Sequence, residues 1–454
     1  MIVPRCHGAE ANASDAEDAI EFFLIVQTID HQPMPNRTHT AADPETHQVA
    51  AGTSTTVAGR VHDGRVVPVP SDVWCEWHRA PWTPSQTRAT QDADVEDEGP
   101  IELYRASEME AAAGAIAGQD AAAQPPRLPW TVRLQLFGLV AAAGAPMRRD
   151  GTVNRSLFNL LDRRARASAR PDKSGVRSTD IDVDASRGLW ARVFSPSIAK
   201  APLPVLVYFH GGAFALLSAA SSAYDAMCRR FCCDLRAVVV SVNYRLAPEH
   251  CCPAAYDDGV DVLRHLASAG LPGDVVSTPV DFSRCFLAGD SAGGNIAHHV
   301  ARRWTESAAA AASPADSNHI RLAGVILVQP YFGGEERTEA EVKLDGKAPV
   351  VTIRGSDWAW RAFLPEGTDR DHPAAHVTDE NAGLADSFPP VMVVIGGLDP
   401  LQDWQRRYAD VLRRKGKAVR VVEFAEAIHT FFFFPVLPDS GRLVAEMKAF
   451  MDEN

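Results

Sequence analysis

Cys285-Phe286-Leu287-Ala288-Gly289-Asp290-Ser291-Ala292-Gly293-Gly294-Asn295-Ile296 is the stretch on which the reading of this fold turns. Its first four residues are apolar enough for a strand covered on both faces, and Ala292 to Trp304 repeats apolar residues at helical spacing. Ser291 therefore stands on a strand-to-helix turn. A residue there must accept a strained backbone, and its neighbours two places away must be small because strand and helix nearly touch. Gly289 and Gly293 satisfy that demand. The hydroxyl then sits at a helix N-terminus, where backbone amides support developing negative charge. A G-x-S-x-G pentad alone arises often by chance; between a buried strand and an apolar helix it is specific.

The same alternation runs outward from this point. Val205–Phe209, Ala237–Val242, Ala323–Val328, Val391–Ile395 and Val419–Phe424 read as further strands, and Ile181–Val183 with Leu189–Phe194 as a hairpin or paired edge strands around Arg187-Gly188. Helical patterns lie between them at Ala223–Cys233, Tyr256–Ala269, Trp404–Arg414 and Arg442–Met451. Strands alternating with helices of this length predict an α/β fold with a mainly parallel, doubly covered sheet. Ahead of it, Leu134, Leu136, Phe137 and Val140 recur at helical spacing. Asn154-Arg155-Ser156 then opens a second helix expected to turn Leu157, Leu160 and Leu161 inward. Residues 334–386, with Trp358, Trp360 and Phe363, break the rhythm and read as a late insertion. With the helices of 129–165, part of it is expected to form a lid.

Three more features carry chemistry. His210-Gly211-Gly212-Ala213-Phe214 follows the strand ending at Phe209, and its glycines let N–H groups converge on one point. With the Ala292 N–H, Gly211 and Gly212 are expected to form an oxyanion hole. Asp399 follows the strand Val391–Ile395, where a buried carboxylate can orient an imidazole; Asp403 is the weaker candidate. His429 is the only histidine after Asp399. Serine, acid, histidine in that chain order is what an α/β-hydrolase requires. His298 and His299 lie on the helix behind Ser291 and are read as packing or surface residues.

Bulk properties narrow the class. The chain has 454 residues, 46% apolar and 23% charged, as in ordinary globular proteins. Its first 120 residues carry 20 Asp plus Glu, 7 Arg and no Lys, which accounts for the whole net charge of −13. The balanced remainder offers no bulk electrostatic reason to bind nucleic acid or anionic lipid. The early apolar run Phe22–Val26 has acidic flanks, unlike a secretory signal. Pro435 and Pro438 interrupt the apolar segment around Phe431–Phe434, which is far shorter than a membrane span. A cytoplasmic chain is expected. Eight cysteines without a C-x-x-C pair read as reduced, packed thiols rather than a disulfide or zinc framework. Neither a Walker loop nor a dinucleotide fingerprint is present, so no metal or cofactor is expected. Residues 1–126 lack sustained periodicity and read as an acidic, mostly disordered extension with a short helix over Ile101–Ala117. A small acidic interaction module is the alternative.

From about Leu128 onward the chain resembles plant carboxylesterases of the hormone-sensitive-lipase branch of α/β-hydrolases, a group that also contains the gibberellin receptors. The resemblance rests on Asp150-Gly151-Thr152-Val153-Asn154-Arg155, His210–Phe214 and Tyr244-Arg245-Leu246-Ala247-Pro248-Glu249-His250. It rests also on Pro253-Ala254-Ala255-Tyr256-Asp257-Asp258, Gly289–Asn295 and the pair Asp399/His429. It implies Ser291, Asp399 and His429 as a catalytic triad, Gly211, Gly212 and Ala292 as oxyanion donors, and N-terminal lid helices over an apolar pocket. Leu136, Phe137, Ala213, Phe214, Asp290 and Trp358 are candidates to line that pocket. Two departures stand out: the usual third glycine is Ala213, and the first 120 or so residues match nothing in the family. The expected activity is hydrolysis of small or medium hydrophobic carboxylic esters through an acyl-enzyme. A hormone receptor and a dehydratase-type lyase are the alternatives. The resemblance implies that the receptors lack the catalytic histidine, so His429 argues for the enzyme.

Overall fold

A computed structural model describes residues 128–454, apart from 200 and 311–319, together with the strand pair β1 (Val61–His62) and β2 (Arg65–Val66). The short helix expected over Ile101–Ala117 lies outside the described residues. In chain order the remaining elements are α1 (Trp130–Gly144), α2 (Arg155–Leu161), β3 (Val176–Asp184), β4 (Leu189–Pro196), β5 (Leu203–Phe209), α3 (Ser222–Leu235) and β6 (Val238–Asn243). There follow α4 (Ala254–Ala269), β7 (Val280–Asp290), α5 (Ala292–Ala310), β8 (Leu322–Val328), α6 (Glu339–Leu344) and α7 (Ile353–Phe363). β9 (Val391–Leu398), α8 (Gln402–Arg414), β10 (Val419–Ile428) and α9 (Pro438–Glu453) complete the chain.

Eight strands form one sheet in the order β10-β9-β8-β7-β5-β6-β4-β3. Pairings from β10 across to β6 are parallel, whereas β6/β4 and β4/β3 are antiparallel. Every residue of β5 and β8 is buried, because helices cover both faces. The strand period of two sorts their side chains between two cores. Val205, Val207 and Phe209 join the cluster beneath α4, α5, α7 and α8, while Leu206 and Tyr208 join the one beneath α1, α3 and α9. Among the described residues no helix is long and apolar enough to cross a membrane.

The two N-terminal helices form where the sequence placed them, but their inward faces differ. In α2 it is Phe158 that is buried, and Leu160 is 80% exposed. Residues two apart on a helix point about 200° away from each other, so docking Phe158 turns Leu160 to solvent. Leu157 and Leu161 sit half-buried between them. In α1, Val132 and Leu136 pack on the core while Phe137 is 59% exposed. Phe137 thus lies on the outer face of the helix. The Asn154 side chain caps α2 by accepting the Leu157 N–H at 3.1 Å.

Candidate active site

All the parallel strands present their carboxyl ends to one edge of the sheet, where open α/β folds gather functional loops. Ser291 follows β7 with φ +52, a left-handed conformation that costs a non-glycine residue roughly 1–3 kcal/mol. Its N–H donates to Val328 O at 3.0 Å, and its carbonyl accepts the Tyr331 N–H at 2.8 Å. A Cβ on Gly293 would lie 1.9 Å from Phe209 O, and one on Gly289 would lie 2.3 Å from Gly293 C. Both glycines are therefore steric necessities.

Asp399 follows β9 and is fully buried; His429 follows β10 and is 3% exposed. His429 Nδ1 meets Asp399 Oδ2 at 2.8 Å. Among the described residues no hydrogen bond engages His429 Nε2 or Ser291 Oγ. The carboxylate is held by three further donors: Leu401 N on Oδ1 at 3.0 Å, and Gln329 Nε2 and Gln405 Nε2 on Oδ2 at 3.1 and 3.0 Å. Asp403 instead accepts the Ala340 N–H at 2.9 Å, at the start of α6. It takes no part in holding the imidazole.

Gln329 is the residue that sequence reasoning missed. It follows β8, is fully buried and has φ +47. Its Nε2 also donates to Ile428 O at 3.2 Å, and its Oε1 accepts the Thr430 N–H at 2.9 Å. One side chain thereby brackets His429 on both sides and holds its carboxylate partner. The stretch Val328-Gln329 also receives the Ser291 N–H, so the three loops share one anchor.

The loop after β5 corrects one expectation. The Gly211 N–H is already consumed, by the Tyr224 hydroxyl at 2.7 Å and Asp290 Oδ1 at 3.1 Å. It cannot serve an oxyanion as well. Gly212, Ala213 and Ala292 have N–H groups that no hydrogen bond among the described residues takes up. Gly212, Ala213 and Phe214 have φ of +109, +54 and +61, a run of left-handed residues that reverses the chain and turns successive amides. A Cβ on Gly212 would come within 2.3 Å of Leu216 O.

Other pocket candidates fall differently. Asp290 is buried beneath the loop, its Oδ1 accepting from Tyr208 at 2.7 Å and its Oδ2 from Tyr224 at 2.8 Å. Burial pushes its carboxyl up to about 6 against the pull of these hydrogen bonds. Phe214 is a core residue, stacked on Phe363 at 3.7 Å. Trp358 is buried with Nε1 bonded to Arg148 O at 2.7 Å, tying α7 to the segment between α1 and α2. Leu136 joins the core beneath α3 and α9. His210 stacks on Tyr244 at 4.3 Å, and burial lowers its imidazole to about 4; it stays neutral near pH 7. His298 and His299 are buried, bonded to Tyr408 and to the Ala374 carbonyl.

Comparisons with known proteins agree with this architecture. A family model described as alpha/beta hydrolase fold matches residues 206–433. Gibberellin receptor GID1C of Arabidopsis thaliana is 43% identical over 321 residues, 67% of this chain and 89% of that protein. Carboxylesterase 20 of the same plant is 36% identical over 292 residues, 60% of this chain and 84% of that one. Among solved structures, an esterase of Pyrobaculum calidifontis aligns with a TM-score of 0.52 and 27% identity, covering 72% of this chain and 94% of its own.

Proposed function

This chain belongs to the alpha/beta hydrolase fold family, in the branch of plant carboxylesterases and gibberellin receptors, and from that membership we propose that it is a serine carboxylesterase. One observation carries the reading: His429 engages Asp399 through Nδ1 at 2.8 Å, leaving Nε2 for a proton. In the proposed reaction Ser291 Oγ attacks an ester carbonyl carbon while His429 Nε2 accepts its proton. Asp399 fixes the tautomer and offsets the charge of the imidazolium. The oxyanion lies among the N–H groups of Gly212, Ala213 and Ala292. His429 returns the proton to the leaving alcohol, and water then releases the acid from the acyl-enzyme. Small or medium hydrophobic esters are the proposed substrates.

The test uses a short-chain aryl ester and the full chain. Ser291→Ala is expected to lower turnover by about 10⁴-fold or more, and a fluorophosphonate is expected to label the parent protein only. The identity to a gibberellin receptor supports a second reading, a ligand-binding receptor without turnover. Saturable gibberellin binding by a parent protein that neither turns over esters nor accepts the label would establish that reading and overturn the first.

A further inference from the structure

We infer that Tyr224, on α3 and outside every motif singled out above, is a positioning residue that sets the oxyanion loop against the nucleophile strand. For its kinetic consequence this rests on the esterase reading. Three successive left-handed residues, Gly212 to Phe214, are not a conformation the chain holds unaided. The loop must be fastened from outside. Tyr244 OH holds one end by donating to His210 O at 2.7 Å. Tyr224 holds the next residue: its hydroxyl accepts the Gly211 N–H at 2.7 Å and donates to Asp290 Oδ2 at 2.8 Å. Its single proton is thus committed, and the direction of both bonds is fixed.

That hydroxyl joins the residue before the proposed oxyanion donors to the residue before Ser291. The ring extends the junction, meeting His210 at 5.4 Å and packing edge-on against Phe433, just beyond His429, at 5.1 Å. A Cβ on Gly211 would stand 2.4 Å from Asp290 Oδ2 and 3.0 Å from the Tyr224 hydroxyl. The loop is therefore seated against this pair with no space to spare. Tyr208 also donates to Asp290, but from inside β5 and without touching the loop. Among the described residues Tyr224 alone supplies a side chain bonded both to that loop and to the residue before Ser291.

Tyr224→Phe keeps the ring and removes the link. Gly211 N–H is left with its longer bond to Asp290, and Asp290 Oδ2 loses its donor. On an aryl ester, kcat is expected to fall about 10-fold with KM changed by less than about 2-fold, the pattern of lost transition-state stabilisation. Affinity for a trifluoromethyl ketone is expected to weaken in parallel. Ser291 adds to its carbonyl and His429 takes the proton, so the adduct presents an oxyanion to the same amides. Amide exchange in the peptide His210–Leu216 is expected to quicken about 10-fold. Tyr408→Phe, which strips a buried hydroxyl bonded to His298, is expected to change neither kcat nor that exchange. Unchanged kcat in Tyr224→Phe, with or without faster exchange, overturns the inference. So does an equal loss in Tyr408→Phe. A parent protein without turnover or ketone adduct would sink the esterase reading instead, and loop exchange alone would then decide whether Tyr224 positions the loop.

Discussion

Asp290 stands between opposed forces. Burial raises its carboxyl from 3.8 to about 6, while two phenols and the Gly211 amide favour the ionised form. Because the folded value exceeds the unfolded one, the native protein binds a proton between about pH 4 and 6 that the unfolded chain has released. Stability from this site is therefore present at pH 4 and is lost as pH rises through 6. The rise from 3.8 to about 6 corresponds to roughly 3 kcal/mol. Relative to Asp290→Asn, the parent protein is expected to gain up to that amount between pH 7 and pH 4, as read by urea unfolding at both. A difference that stays flat would show that the hydrogen bonds fully offset burial. Gln329 poses the complementary test. Gln329→Leu removes the bonds to Asp399, Ile428 and Thr430 at once, and a loss of about 10- to 100-fold in kcat/KM is expected from a misaimed imidazole. If ester turnover survives unchanged, the glutamine is packing alone. Ser291, Asp399 and His429 could be proposed from sequence because motif and chain order mark them. Gln329 could not: its partners lie 70 to 101 positions away and no local pattern announces it. Gly211 was misread for a related reason, since a motif does not show which of its amides a buried carboxylate has already taken.

Among the elements, legibility followed burial. β5 and β8, buried at every position, read directly as apolar runs. β7 runs five residues further back, through Val280 to Arg284, than its apolar core suggested, because Val280 and Asp281 pair with Leu203 and Pro204 of β5 before a register shift ahead of Cys285. α6 gave no periodic signal at all. It is short and polar, and a capping box between Thr338 and Glu341 starts it. α2 is held from outside through Arg155, which donates to the carbonyls of Ala215 and Ala247 and forks onto Glu249. Glu249 is half exposed, so its ion pair contributes little; the two carbonyls, which lose their donor together, matter more. Arg155→Met is expected to cost about 2–3 kcal/mol and to speed proteolysis within residues 128–165. Stability within about 0.5 kcal/mol of the parent would mean that Phe158 and the Asn154 cap suffice to dock the helix.

At the scale of the whole molecule, charge is segregated along the chain. The first 120 residues hold the entire excess of negative charge, and residues 127–454 contain equal numbers of acidic and basic side chains. Among the described residues both cores are assembled between Val132 and Met451, and every triad and oxyanion candidate lies in that span. A chain of residues 127–454 is therefore expected to unfold cooperatively in denaturant and to hydrolyse an aryl ester within about 2-fold of the full chain. Its isoelectric point is expected to rise from about 5.6 toward neutrality. Without net charge it is also expected to associate more readily near pH 7, and light scattering against salt and pH would show this as a solubility minimum. The two outcomes separate a colloidal role for the extension from a structural one. Aggregation that salt or a shift of pH reverses, with turnover intact, assigns the acidic segment to keeping a neutral hydrolase dispersed. A truncated chain that unfolds without a cooperative transition would show that the boundary near residue 127 cuts through the folding unit.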